Sequence, residues 1–109
     1  MNAYSSEWNA MNKPRVTILN APVYQKLLYV EGQLERFAAQ TPGIGSPEVI
    51  LKPELHLGRI YFTAPYLEML PAWLLQVISE KADECEAYEK SGGGQRLCVT
   101  FHRLFISMR

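Results

Sequence analysis

The chain has 109 residues, 48% hydrophobic and 20% charged, the composition of one globular domain rather than of a disordered or multidomain protein. Eleven basic residues balance eleven acidic ones, so the basic excess of a dedicated duplex-DNA binder is missing. Two cysteines, Cys85 and Cys98, are too few for a disulfide framework. The first 14 residues are too polar for a signal peptide, and no apolar run approaches the roughly 18 residues of a membrane span, so the expectation is a cytoplasmic protein.

Residues 1–13 show no hydrophobic period and are expected to form a flexible N-terminal arm bearing Tyr4 and Trp8. Residues 14–109 read as a single α+β domain. Its first segment, Arg15–Leu19, contains the β-branched run Val16-Thr17-Ile18 and reads as a strand. Asn20 then offers an N-cap, and Pro22 suits the first turn of a helix over Pro22–Gln40. Val23, Leu27, Val30, Leu34 and Phe37 form its buried stripe. Gly32 lies inside that helix, where glycine costs about 1 kcal/mol relative to alanine, so a close approach to another backbone is expected there.

The stretch Thr41–Pro47 holds two glycines and two prolines and is a loop. Glu48–Leu51 and His56–Thr63 read as two strands joined by a turn at Lys52-Pro53-Glu54-Leu55. A second helix is predicted over Pro65–Lys90, with either a short turn at Tyr66–Leu70 or a kink at Pro71. Its buried stripe would be Leu70, Leu74, Val77, Ile78, Ala82 and Cys85, and the three glycines after Ser91 would end it. Arg96–Ser107 closes the chain as one long strand. The resulting β-α-β-β-α-β order is that of the ferredoxin-like α+β fold, an antiparallel sheet with both helices on one face.

On the third strand, Leu57, Arg59, Tyr61 and Thr63 share one side and His56, Gly58, Ile60, Phe62 and Ala64 the other. The smaller, more apolar set suits the helix side, which leaves Arg59 and Tyr61 on the open face. On the last strand, Leu97, Val99, Phe101, Arg103 and Phe105 alternate with Cys98, Thr100, His102, Leu104 and Ile106. Both sides are apolar, which predicts a strand covered on both faces. A patch of this kind marks an interaction site. The expected contact surface is therefore Arg59, Tyr61, Phe101, Arg103 and Phe105, facing a protein partner or, in a homodimer, a second copy of the chain. Asp83, Glu84 and Glu86, near the end of the second predicted helix, offer a further acidic surface for a basic partner.

The alternative is single-stranded RNA or DNA binding. RNA-recognition domains carry stacking aromatics on this third strand. In Leu57–Ala64 the glycine and Tyr61 fit that pattern, but Arg59 stands where an aromatic is wanted, and Arg15–Leu19 has no aromatic at all. Catalytic and metal signatures are sparse. Cys98 and His102 share one strand side but lie roughly 13 Å apart along it. Gly43-Ile44-Gly45 lacks the lysine of a phosphate loop. No cofactor or metal is expected, and the chain reads as a non-enzymatic adaptor, inhibitor or immunity-type factor; a reaction centred on His56 or His102 is the enzymatic alternative.

Overall fold

A computed structural model describes residues 16–108. The predicted arm, with Tyr4 and Trp8, lies outside the described residues. The elements are β1 (Val16–Ile18), α1 (Ala21–Gln40), β2 (Glu48–Lys52), β3 (Leu57–Ala64), α2 (Ala72–Lys81), β4 (Glu84–Glu89), β5 (Gln95–Phe101) and β6 (Ile106–Met108). Single 3-10 turns occupy Pro53–Leu55 and Leu67–Met69. The described residues are α+β, with two helices and antiparallel pairing throughout.

The strand order is β2-β3-β5-β4 in one sheet, while β1 and β6 form a separate two-stranded ribbon. Two departures from the expected β-α-β-β-α-β order produce this. The second predicted helix ends at Lys81 rather than Lys90, and its last third is β4. The predicted final strand is two strands, β5 and β6, separated by residues 102–105.

The first departure has an electrostatic cause. A helix continued through Asp83, Glu84, Glu86 and Glu89 would stack carboxylates on its own negative end, at about 0.3–1 kcal/mol each. The observed helix instead ends on a basic residue, Lys81. The acids pass into an edge strand whose six residues are all exposed. The triple glycine then serves a hairpin rather than a helix stop. Gly92, Gly93 and Gly94 have φ of 92°, 105° and 86°, and Lys90 N donates to Gly94 O at 3.0 Å. Only glycine adopts three successive positive φ values without strain.

The second departure rests on backbone geometry. Arg103 and Phe105 sit in the left-handed region, with φ of 59° and 53°, at about 1–2 kcal/mol per non-glycine residue. They reverse which alternate residues point inward. Leu97, Val99 and Phe101 face the core before the break, and Leu104 and Ile106 after it. A third left-handed residue, His56 (φ 55°), braces this break. Leu104 N donates to His56 O at 2.9 Å and Ile106 N to His56 Nδ1 at 3.0 Å. Asn20 holds it from the other side, with Asn20 Nδ2 donating to Arg103 O at 2.8 Å and Asn20 N to Leu104 O at 3.0 Å. Asn20 also caps α1 by accepting from Val23 N.

One core forms. Leu27, Val30 and Leu34 of α1 and Leu74 and Ile78 of α2 pack with Ile60, Phe62, Leu97, Val99 and Phe101, so both helices cover the same side of the sheet. Val16, Ile18 and Ile106 of the ribbon join the same cluster. The short-turn alternative before α2 is the one observed, with Leu67–Met69 preceding Pro71. Close approach occurs at Gly58, not at Gly32. A Cβ on Gly58 would lie 2.7 Å from Leu27 Cδ1, whereas one on Gly32 meets nothing within 4 Å. Gly32→Ala is therefore expected to stabilise the fold by about 0.5–1 kcal/mol, measurable as a higher denaturant midpoint with an unchanged slope.

Candidate functional site

The sheet side away from the helices follows from strand alternation. Register places Glu48, Tyr61, Cys98 and Glu86 in one row across the sheet, and Ile50, Arg59, Thr100 and Glu84 in the next. A third row holds Thr63, Arg96 and Tyr88. Arg59 and Tyr61 thus lie on the open face, half-buried by their neighbours. The Arg96 guanidinium stacks over the Tyr61 ring, 5.2 Å from its centroid. Its Nε is enclosed and has no hydrogen-bond partner among the described residues. The core cluster formed with both helices lies on the other side of the sheet, yet Cys98 and Thr100 on this side are buried as well.

The other sequence-predicted contacts fall elsewhere. Phe101 is fully buried on the helix side, opposite Gly58. Arg103 and Phe105 lie in the left-handed break, beyond the end of β5. Both are exposed, with the Phe105 ring 6.1 Å from that of His56. The apolar character of both sides of the predicted last strand comes from the reversal at Arg103 and Phe105, so it does not create a bare apolar sheet face. The open face is instead a Tyr/Arg surface. Sequence reasoning missed two of its members, Tyr88 and Arg96. Their place on this face follows from the pairing of β5 with β3 and β4.

Asp83, Glu84 and Glu86 are not on a helix. Asp83 Oδ2 accepts from His102 N at 2.7 Å, while Asp83 N donates to Thr100 O. Glu84 Oε2 lies 3.0 Å from His102 Nε2. These two carboxylates fasten β4 to the end of β5, which leaves Glu86 and Glu89 as the acids of that edge without an ion-pair partner among the described residues. His102 is spent on the same fastening, and His56 on bracing the break.

Cys85 lines a shallow groove of about 250 Å³ with Leu75, Ile78, Ser79, Ala82, Asp83 and Glu84. Partial burial, with Cys98 and Glu86 nearby, pushes its thiol up, away from the thiolate a nucleophile needs. Cys85 lies opposite Val99 and Cys98 opposite Glu86, so the two cysteines point to opposite sides of the sheet. Among the described residues, no three His, Cys, Asp or Glu side chains converge as a metal site would require, and no helix is long and apolar enough to cross a membrane. Comparison with protein-family models, with curated proteins and with solved structures found no match to this chain.

Proposed function

We propose that the chain is a non-enzymatic protein-binding module, an adaptor or inhibitor, whose contact surface is the face of its four-stranded sheet away from α1 and α2. One observation carries this reading: the Arg96–Tyr61 stack at the centre of that face, flanked by Arg59 and Tyr88. Tyrosine and arginine dominate the energetics of protein interfaces, because each offers a broad apolar surface with a polar end. Stacking also holds the Arg96 guanidinium in place, so little side-chain freedom is lost when a partner docks.

The same two arginines and Tyr61 favour a second reading, single-stranded nucleic acid stacked on the sheet. Charge opposes it. The rows through Tyr61 and Arg59 end in Glu86 and Glu84, and Glu48 stands directly opposite Tyr61, so a phosphate backbone crossing the face meets carboxylates at its margins. The test is capture by the immobilised protein from a lysate of the cells that make it. A protein retained by the wild type and by Tyr66→Ala, an exposed position off the face, but released by Tyr61→Ala, supports the reading. An identical retained set for all three proteins contradicts it. Retention of oligonucleotide that weakens steeply with salt and needs Tyr61 favours the second reading.

A further inference from the structure

The sheet has two edges, and they differ in what they would do to a second copy of the chain. Along β4, Glu84 and Glu86 share one face and Glu89 lies on the other, with no basic residue between them. Pairing two copies there would bring three carboxylates from each to one seam, a known protection of edge strands against self-pairing. Along β2 the sequence is Glu48-Val49-Ile50-Leu51-Lys52. Read antiparallel against itself, it is complementary at every position.

We propose that β2 is the interface of a homodimer, pairing antiparallel with β2 of a second copy about a two-fold axis at Ile50. In that register Glu48 of each copy faces Lys52 of the other, Val49 faces Leu51, and Ile50 faces Ile50. The faces agree as well. Glu48, Ile50 and Lys52 lie on the open side with Arg59 and Tyr61, and Val49 and Leu51 lie on the helix side with Ile60. Two ion pairs and an isoleucine pair thus join on one face, and two valine–leucine pairs on the other. Such self-complementarity is what an isologous contact requires.

Three further observations point the same way. β2 pairs only with β3, so its outer edge has no strand partner among the described residues. Glu48 and Lys52 make no ion pair among the described residues, where the only one is His102 with Glu84. Pro47 and Pro53 flank the strand symmetrically, three residues either side of Ile50. A shift of two residues in either direction would push a proline, which has no N–H, into the ladder. The prolines therefore leave one in-face register for the full five-residue pairing. The product is a continuous eight-stranded sheet with both Tyr/Arg faces on the same side. This proposal does not rest on the protein-binding reading of that face, since the β2 contact leaves it open.

Sedimentation equilibrium of the full chain over a range of concentrations tests it. The wild type is expected to approach twice its 12.4 kDa mass. Lys52→Glu and Glu48→Lys each turn two attractive pairs into repulsive ones, and should raise the dissociation constant about 10-fold or more. The double variant Glu48→Lys/Lys52→Glu should restore the dimer. A wild type that stays monomeric overturns the proposal. So does a dimer unaffected by either single reversal, or a double variant that is folded but not rescued. If the reversals impair folding, Ile50→Cys in a Cys85→Ser background supplies an independent readout. The two-fold axis sets the new thiols opposite each other, at a Cα separation of about 4.5–5.5 Å that a disulfide spans. Mild oxidation should then give a covalent dimer, and its absence overturns the proposal.

Discussion

Replacing Phe101 with alanine is expected to destabilise the fold by about 3–5 kcal/mol, read as a fall in the thermal midpoint of roughly 15–30 °C. The ring is fully buried between the sheet and the helices, opposite Gly58 and in the same cluster as Ile60, Val99 and Leu104. Truncation removes the transfer energy of the ring and leaves a cavity that close-packed neighbours refill only in part. Phe105→Ala is the control. That ring is 47% exposed in the left-handed break, and its loss should stay under about 1 kcal/mol. Equal effects from the two substitutions would mean that the inward alternation does not reverse between residues 101 and 104.

Gly58→Val is expected to cost about 3 kcal/mol, at the upper end for overpacking a core. A Cβ at this position would stand 2.7 Å from Leu27 Cδ1, 3.0 Å from Leu104 Cδ1 and 3.2 Å from Leu51 Cδ2. Three elements meet there: α1, the break after β5, and β2. Gly58→Ala should be milder, because each close atom is the end of a leucine side chain that can rotate away. Chemical denaturation of both variants checks the ranking, valine well below alanine. In a Leu27→Ala background the valine penalty should shrink, since the nearest obstructing atom is gone.

How much of this was legible in the sequence depended on whether local signals acted alone. α1 was legible because cap, proline and stripe agree: Asn20, Pro22 and the buried Leu27, Val30 and Leu34 all act as their spacing predicts. The hairpin of β2 and β3 was legible for the same reason, with Pro53 at its turn. β4 was not, because Ala82 and Cys85 continue the helical spacing of Leu74 and Ile78; the acidic run argues against a helix there, and pairing with β5 supplies the alternative. The break at residues 102–105 was illegible because Arg103 and Phe105 carry no local cue for a left-handed backbone. Their conformation is held by His56 and Asn20, both distant in the chain.

That hidden reversal also moved the candidate site. Phe101 belongs to the core, and Phe105 lies off the sheet. Arg59 and Tyr61 stayed on the open face because β3 alternates without interruption, and Arg96 and Tyr88 join them through pairing that no single strand reveals. The surface that results owes less to bare apolar area than to two stacked Tyr/Arg neighbours between acidic margins.

The most direct test of this account compares two alanine variants in binding the protein captured by the wild type, by titration calorimetry at one salt concentration. Tyr61→Ala should weaken the affinity about 30-fold or more, the loss typical of a central tyrosine in an interface, while Phe105→Ala should leave it within about twofold. The reverse ranking, with Phe105→Ala abolishing binding and Tyr61→Ala leaving it intact, would contradict the claim that the sheet face away from α1 and α2 is the contact surface.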